Sequence, residues 1–201
     1  LAEKTQDRTY RDDSIVFYSS GESKKIGLSP EDQELYTQGF IAAFNHYLGE
    51  DHVAVNWGAP TGRHISQWCF DSISGYVDEV VADSVGDNFE EYEDKWEDIN
   101  AFLSMPRMMK SIGKEIQDEH GDLKDLFPDA QLSLTAGDVM TDGLRDWIEE
   151  EYGIRAVNFW GGTEIGAGAI EVEPGKYKPT NPNQIYEIID ENADTKGGVS
   201  E

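Results

Sequence analysis

The chain has 201 residues, enough for one α/β domain with a sizeable core or for part of a larger domain. It carries 41 acidic against 16 basic side chains, a formal net charge of −25, and such a surface argues against general nucleic-acid binding. The single cysteine, Cys69, excludes an internal disulfide framework, and no apolar run of about 18 residues indicates a membrane span.

The acidity is best explained by a folded protein that works at high salt, where self-repulsion is screened. Aromatic residues make up 11% of the chain and apolar runs recur, which argues against disorder. The chain begins at Leu1 rather than Met, and residues 196–201 read as the approach to a strand, so we expect a fragment of a longer polypeptide. No signal peptide opens the chain, and we expect a cytoplasmic enzyme.

In the amino-terminal half, β-rich runs alternate with capped helical patterns. They predict a strand at 14–18, a helix at 29–48, a strand at 53–57, a helix at 66–76 and a strand at 77–81. The helix start at Ser29-Pro30 has Ser as N-cap and Pro at the first helical position. Small-residue loops follow the first two strands, at 19–25 and 58–63.

Residues 87–98 carry a dense acidic run, which is conceivable as a catalytic carboxylate cluster. Phe89, Tyr92, Trp96 and Ile99 recur within it at helical spacing, so the acids are interpreted as a solvated helix face. A further helix is predicted to begin at Ser104-Met105-Pro106.

The last third is the most regular part of the chain. It predicts a strand at 131–135, a helix at 141–152 ended by Gly153, and strands at 154–160, 168–172 and 185–189. Strand, helix, strand at this spacing predicts an α/β fold with a mainly parallel sheet and helices on both faces. Ligands of such sheets bind at loops past the carboxyl ends of the strands.

Small-residue loops at 19–25, 136–138 and 161–164 each suit part of a nucleotide. Hydroxyls and bare N–H groups in the first, with Lys24 or Lys25, suit phosphate oxygens. Gly137 allows a flat base to approach the backbone. Thr163 offers a hydroxyl, and Glu164 offers a hard oxygen ligand for Mg²⁺.

The three loops, in this order, resemble motifs of the adenylate-forming superfamily, which has a Ser/Thr/Gly-rich phosphate loop, an adenine loop and a Tyr-Gly-x-Thr-Glu motif. The matching segments are Tyr18-Ser19-Ser20-Gly21, Thr135-Ala136-Gly137-Asp138 and Trp160-Gly161-Gly162-Thr163-Glu164. Residues 102–109, 29–32 and 177–190 are similar to stretches of phenylacetate-CoA ligases. The likeness covers nearly the whole chain and identifies it as part of the large N-terminal domain of such an acyl-CoA synthetase.

The resemblance implies ATP-dependent activation of a small-molecule carboxylic acid to an acyl-adenylate, then transfer to coenzyme A. Thr163 and Glu164 would be catalytic, and Glu164 would hold Mg²⁺. The nucleotide would be bound by Ser19, Ser20, Gly21, Ser23, Lys24, Gly137, Asp138, Asn158, Phe159, Trp160 and Gly161. Trp57 and Gly58 would lie near the acyl pocket. Residues 1–201 would form one partial domain without the C-terminal domain that carries the catalytic lysine.

The sequence departs from the family pattern in ways that leave alternatives open. Glu22 stands where the family has Thr, Lys24-Lys25-Ile26-Gly27 replaces Gly-x-Pro-Lys, and Trp160 replaces Tyr. These changes also suit a degenerate domain that binds a nucleotide or partner without turnover. A synthetase that joins an acid to an amino acid through an amide shares the same loops.

Other enzyme classes fit less well. Residues 166–171 loosely echo a dinucleotide-binding Gly-x-Gly-x-x-Gly motif, but the third glycine is missing and a strand is predicted to follow. The four histidines are scattered without a His-x-x-x-His pair, which argues against a transition-metal site. No Gly-x-Ser-x-Gly elbow indicates a serine hydrolase.

Overall fold

The structure is a computed structural model that describes residues 15–18, 25–28, 34, 38, 41–42, 45–48, 52–58, 77–82, 89–162 and 166–180. The described positions of the predicted helix 29–48 are helical at 34, 38, 41–42 and 45–47, in agreement with the prediction. The predicted helix 66–76 and the predicted strand 185–189 fall outside the described residues.

The described strands form a two-stranded and a seven-stranded sheet. They are β1 (Ile15–Tyr18), β2 (Lys25–Leu28), β3 (Val53–Trp57), β4 (Glu79–Ala82), β5 (Ala101–Ser104), β6 (Leu132–Thr135), β7 (Arg155–Gly162), β8 (Gly166–Glu173) and β9 (Lys176–Pro179). β1 and β2 pair antiparallel, with Tyr18 opposite Lys25. The large sheet has the order β4-β3-β5-β6-β7-β8-β9.

Strands β4, β3, β5, β6 and β7 are mutually parallel, and β7, β8 and β9 form an antiparallel ribbon. The mainly parallel α/β sheet is thus confirmed. The chain passes from β3 outward to β4 and then returns to the other side of β3 to form β5. This reversal of strand order places a topological switch point at the carboxyl ends of β3 and β5, where ligands of open sheets bind.

The described helices that connect these strands are a 3₁₀ helix (Phe89–Asp98), α1 (Pro106–His120), α2 (Leu123–Leu126) and α3 (Asp142–Tyr152). None of the described helices is both long and apolar enough to cross a membrane. α1 begins with Pro106 at its first turn, as predicted, and α3 ends at Gly153, whose φ of 72° is left-handed.

The acidic run 87–98 supplies a helix face rather than a cluster of carboxylates. Tyr92 and Trp96 are buried on the inner side of the 3₁₀ helix, while its acidic residues are exposed. The helix is 3₁₀ rather than α, with a break at Tyr92 (φ −125°) that turns both aromatic rings into the core. The interpretation of the acids as a solvated face is confirmed.

The core lies between the parallel strands and α1, α2 and α3. Aromatic rings dominate it: Phe102 packs against Trp57, Phe127 and Tyr152 with centroid distances of 5.0, 5.3 and 5.1 Å. Every residue of β5 and β6 is buried, on both faces of the sheet, as expected for central parallel strands.

Some predictions of elements and their boundaries were wrong. Residues 101–104 (Ala-Phe-Leu-Ser) form β5, although no strand was predicted there. Gly161 and Gly162, predicted as loop, extend β7 because they pair with Ala167 and Gly166 across a bulge. Residues 176–179 form the exposed strand β9, which the polar sequence Lys-Tyr-Lys-Pro does not predict.

Candidate nucleotide site

Four residues lie in one aligned row: the last residues of β3, β5 and β6, and the last residue of β7 that pairs with β6. Trp57 of β3 is opposite Ser104 of β5, Ser104 is opposite Thr135 of β6, and Thr135 is opposite Asn158 of β7. All four are buried, and three of them are polar. The predicted adenine loop follows Thr135 directly, and the predicted aromatic platform Trp160 lies two residues beyond Asn158.

Side chains hydrogen-bond along this row. The Ser104 hydroxyl donates to the carbonyl oxygen of Trp57 at 2.8 Å. The Thr135 hydroxyl lies 3.1 Å from Asn158 Oδ1 and 3.3 Å from the carbonyl oxygen of Val157. Side chains in the row therefore link β3 to β5 and β6 to β7, and together with the backbone pairing they form a polar floor for the loops that follow.

The predicted adenine loop is held against the end of β5. The N–H group of Ala136 donates to the carbonyl oxygen of Ser104 at 3.1 Å. Gly137 has a φ of 82°, and a Cβ placed on it would lie 3.7 Å from the Met105 side chain. Asp138 Oδ2 forms an ion pair with Arg107 Nε at 2.8 Å. Glycine at 137 thus permits a left-handed turn and leaves backbone open beside the row.

Trp160 is the exposed aromatic residue at the end of β7. Its side chain is 52% exposed, against 3% for the adjacent Phe159. A Cβ placed on Gly168 would lie 3.0 Å from Cε3 and Cζ3 of the indole, so the ring lies over the bare backbone of β8. A flat, half-exposed ring next to Gly161 offers a stacking surface for a base.

Asn158 is held from both sides. Its Oδ1 faces the Thr135 hydroxyl on β6, and its Nδ2 donates to the Tyr177 hydroxyl on β9 at 3.0 Å. Its backbone N–H donates to Oε2 of Glu171 on β8 at 3.2 Å. Asn158 is only 5% exposed, and these contacts fix its position on the same face of β7 as Trp160.

Glu171 is a buried carboxylate that joins α3 to the ribbon. Its Oε2 also pairs with Arg145 Nη2 at 2.5 Å, and its Oε1 accepts the N–H of Gly175 at 2.7 Å. Arg145 Nη1 donates to the carbonyl oxygen of Ala156 at 2.6 Å. β7 and β8 pair only through residues 159–162 and 166–170. Where the two strands diverge, Arg145 and Glu171 bind the backbone groups of Ala156 and Asn158 in place of a neighbouring strand.

The other predicted site residues are not tested by the geometry. Ser19, Ser20, Gly21, Ser23 and Lys24 lie outside the described residues, between the paired strands β1 and β2. Thr163 and Glu164 also lie outside them, between Gly162 and Gly166, which pair with each other. The described predicted residues, Gly137, Asp138, Asn158, Phe159, Trp160 and Gly161, all lie at the carboxyl ends of β6 and β7.

Trp57 is a residue of the core. Its side chain is buried, and Nε1 donates to the Tyr92 hydroxyl at 2.8 Å, while its position near an acyl pocket stays a prediction. Gly58 lies at the predicted place, past the end of β3, and its N–H donates to Asn56 Oδ1 at 2.8 Å.

Two other features of the described part lie outside the predicted loops. A cleft of about 400 Å³ opens where β7 and β8 diverge, lined by Arg145, Glu149, Arg155 and Glu171 among others. It adjoins the candidate site through Glu171, which accepts the N–H of Asn158. Glu90, Glu119 and His120 bring their ligand atoms within 4.8 Å of one another at the carboxyl end of α1.

Sequence reasoning missed Tyr177, Arg145 and Glu171. Arg145 was recognisable, since it lies three residues before Ile148 and seven before Tyr152, on the buried side of α3. Glu171 was recognisable as an acid within a strand. Tyr177 carries no local signal.

The sequence matches no protein-family model, and no curated protein matches it in sequence. Solved structures with a similar fold include an open conformation of 2-hydroxyisobutyryl-CoA ligase in complex with 2-HIB-AMP and CoA. That structure is 14% identical with a TM-score of 0.64, over 78% of this chain and 38% of the other.

Apo MatB from Rhodopseudomonas palustris is similar with a TM-score of 0.60 and 14% identity, over 83% of this chain and 33% of that chain. VinN is similar with a TM-score of 0.62 and 14% identity, over 89% and 45%. The chain thus spans less than half the length of these proteins. The expected mainly parallel α/β fold is confirmed by these similarities, and at this identity the likeness concerns the fold alone.

Proposed function

We propose that the chain binds ATP with its adenine between the Gly137 loop and Trp160, as the nucleotide-binding part of an AMP-forming acid–thiol ligase. The observation that carries the proposal is the aligned row Trp57, Ser104, Thr135 and Asn158. The row supports the proposal because Gly137 follows its residue Thr135 and Trp160 follows its residue Asn158 on the neighbouring strand. The ligand seen in the similar ligase, an acyl-AMP with CoA, is of the class that such a site would hold.

The base would lie over the floor that Asn158 and Thr135 form. Gly137 exposes backbone on one side and Trp160 exposes its indole on the other. Stacking on an aromatic ring suits any base, and the amide of Asn158 supplies hydrogen-bonding groups. Asp138 and Gly161 would complete the walls around the base, whereas Phe159 would contribute only its backbone, because its buried side chain lies on the other face of β7.

The phosphates would be bound by Ser19, Ser20, Gly21, Ser23 and Lys24, with Thr163 at the α-phosphate. Glu164 would hold Mg²⁺, which neutralises phosphate charge. A carboxylate oxygen of the acid then attacks the α-phosphorus, and pyrophosphate leaves. The acyl-adenylate passes its acyl group to the thiol of coenzyme A and releases AMP. Positioning and charge neutralisation would supply most of the catalysis.

Calorimetry with ATP and MgCl₂ in high salt tests the proposal on the 201-residue chain. We expect saturable heat that weakens in Glu164→Ala and persists in the matched control Glu173→Ala, whose side chain is exposed at the far end of β8. No heat from the unaltered chain, or equal affinity in both variants, contradicts the proposal.

A second function is nucleotide binding without turnover, and Glu22 in the phosphate loop supports it. An acid there opposes the charge of the ligand unless a lysine or Mg²⁺ offsets it. Pyrophosphate release, screened over aryl and aliphatic acids, separates the two: turnover with any acid supports the ligase. Trapping of the activated acid with coenzyme A or with amino acids then distinguishes a thioester from an amide product.

A further inference from the structure

Tyr177 connects the outermost strand of the ribbon to the candidate base site. It lies on β9, opposite Glu171 of β8, and its side chain reaches across β8 to Asn158 on β7. All of β9 is exposed, and Tyr177 is itself 40% exposed. Its hydroxyl nevertheless accepts a hydrogen bond from a nearly buried amide, at a donor–acceptor distance of 3.0 Å.

The amide of Asn158 has one hydroxyl partner on each side. Thr135 is part of the buried sheet, so its contact with Oδ1 is rigid. On the other side, the Tyr177 hydroxyl is the described partner of Nδ2. Without the phenol oxygen, one N–H group of a buried amide loses its partner, and the amide is free to rotate towards another acceptor.

Asn158 and Trp160 lie two residues apart and therefore face the same side of β7. A rotation of the Asn158 amide would change the hydrogen-bonding groups presented next to the exposed Trp160 indole. With Tyr177 in place, one N–H and one lone pair of the amide remain for a ligand that offers a neighbouring donor and acceptor. The edge of a purine base offers that pattern.

We propose that Tyr177 is a positioning residue, which holds the amide of Asn158 in place for the base of a bound nucleotide. The inference rests on the proposed nucleotide site and adds a residue from outside the motifs that identified that site. Tyr177 acts through Asn158 and does not itself need to contact the ligand.

The test compares ATP with tripolyphosphate, which has the phosphates without the base, by calorimetry on the 201-residue chain. In Tyr177→Phe we expect about 3- to 10-fold weaker binding of ATP, the effect of one hydrogen bond, and unchanged binding of tripolyphosphate. The matched control is Lys178→Gln, at the next position of β9 and on its opposite face. It should change neither the affinity for ATP nor the affinity for tripolyphosphate. Equal losses for both ligands, or an unchanged ATP affinity, overturn the inference.

A second measurement requires no nucleotide. In ¹⁵N-labelled chain, the side-chain amide protons of Asn158 should shift in Tyr177→Phe and stay in place in Lys178→Gln. Unchanged amide resonances overturn the role of Tyr177 whatever the ATP result. If those resonances shift but the unaltered chain binds neither ligand, the proposed function fails, and the base-positioning role fails with it.

Discussion

Arg145 and Glu171 form an ion pair with an Nη2–Oε2 distance of 2.5 Å, and both side chains are almost fully buried. The pair joins the first turns of α3 to the middle of β8, and Glu171 also holds the backbone of Asn158. The candidate base site therefore depends on a charged contact in the interior of the sheet.

Removal of one partner of this pair should strongly destabilise the fold. Glu171→Gln leaves the guanidinium of Arg145 buried without its counter-charge, and we expect a loss of about 3–5 kcal/mol in the free energy of unfolding. Urea denaturation in high salt measures it. Glu173→Gln, which removes the exposed partner of Lys176, should cost less than about 1 kcal/mol. Similar losses of unfolding free energy in both variants would contradict the conclusion that the buried Arg145–Glu171 pair stabilises the fold.

Gly113 is required for the close packing of α1 on α3. A Cβ placed on it would lie 2.9 Å from Cη2 of Trp147 and closer still to the Tyr152 hydroxyl. Gly113→Ala should therefore destabilise the chain by about 1–3 kcal/mol, because the rings must shift. Gly143 in α3 has nothing within 4 Å of the same position, so Gly143→Ala should stabilise by about 0.4–1 kcal/mol. Thermal unfolding of the two variants checks both signs, and a shift in the same direction for both would refute the packing argument.

Tyr152 should make the chain sensitive to alkali. Burial raises the pKa of Tyr152 well above its usual value, and the nearby Tyr92 adds to the rise. The folded state keeps this proton while the unfolded chain releases it above about pH 10. The stability that Tyr152 contributes is thus complete below that pH and is lost as the pH rises further.

Urea unfolding between about pH 8 and pH 11 measures this effect. Tyr152→Phe should show a shallower decline than the unaltered chain, since other tyrosines and lysines still titrate. Its stability at neutral pH should be lower, because the Tyr152 hydroxyl donates to the carbonyl oxygen of Met109 at 3.1 Å. Parallel declines in the two proteins would show that the buried phenol does not cause the alkaline sensitivity.

Trp160 should carry much of the affinity for the base. Loss of a stacking ring costs about 1–3 kcal/mol per base, so Trp160→Ala should weaken ATP binding about 5- to 150-fold. Trp160→Phe should retain most of the affinity. Val172→Ala, another exposed apolar residue but on the distant half of β8, serves as the control. If ATP still quenches tryptophan fluorescence in the Trp160→Ala variant, the base binds elsewhere.

High salt should stabilise the chain. With a net charge of −25, repulsion among the acidic side chains opposes the compact state, and salt near 1 M screens charges beyond about 3 Å. We expect the melting temperature to rise between about 0.1 and 2 M for NaCl and KCl alike. A fall with both salts would contradict the proposed adaptation.

The parallel sheet was predictable because its strands are apolar runs separated by capped helices, as at residues 131–160. β5 was missed because the short sequence Ala-Phe-Leu-Ser after an acidic run has no periodicity of its own. β9 was missed because its polar sequence forms a strand only by pairing with β8, a non-local effect. The glycines at 161 and 162 suggested a loop, but cross-strand pairing overrides that preference.

The residues of the candidate site that lie in sequence motifs could be predicted, and the others could not. The sequence order of the loops identified Gly137, Asn158 and Trp160. The register of β6 and β7 places Thr135, which comes shortly before Gly137, opposite Asn158. The contacts that fix Asn158 come from Thr135 on one side and from Tyr177 on the other. The second contact spans a strand, so no spacing in the sequence indicates it.

The outer strand β9 also determines how the sheet ends on that side. Its residues Lys176, Lys178 and Pro179 are all exposed at the edge. Proline offers no N–H to a strand from another molecule, and two ammonium groups discourage a like edge from approaching. Among the described strands, β9 forms this border of the sheet, and its sequence disfavours pairing with a strand of another molecule.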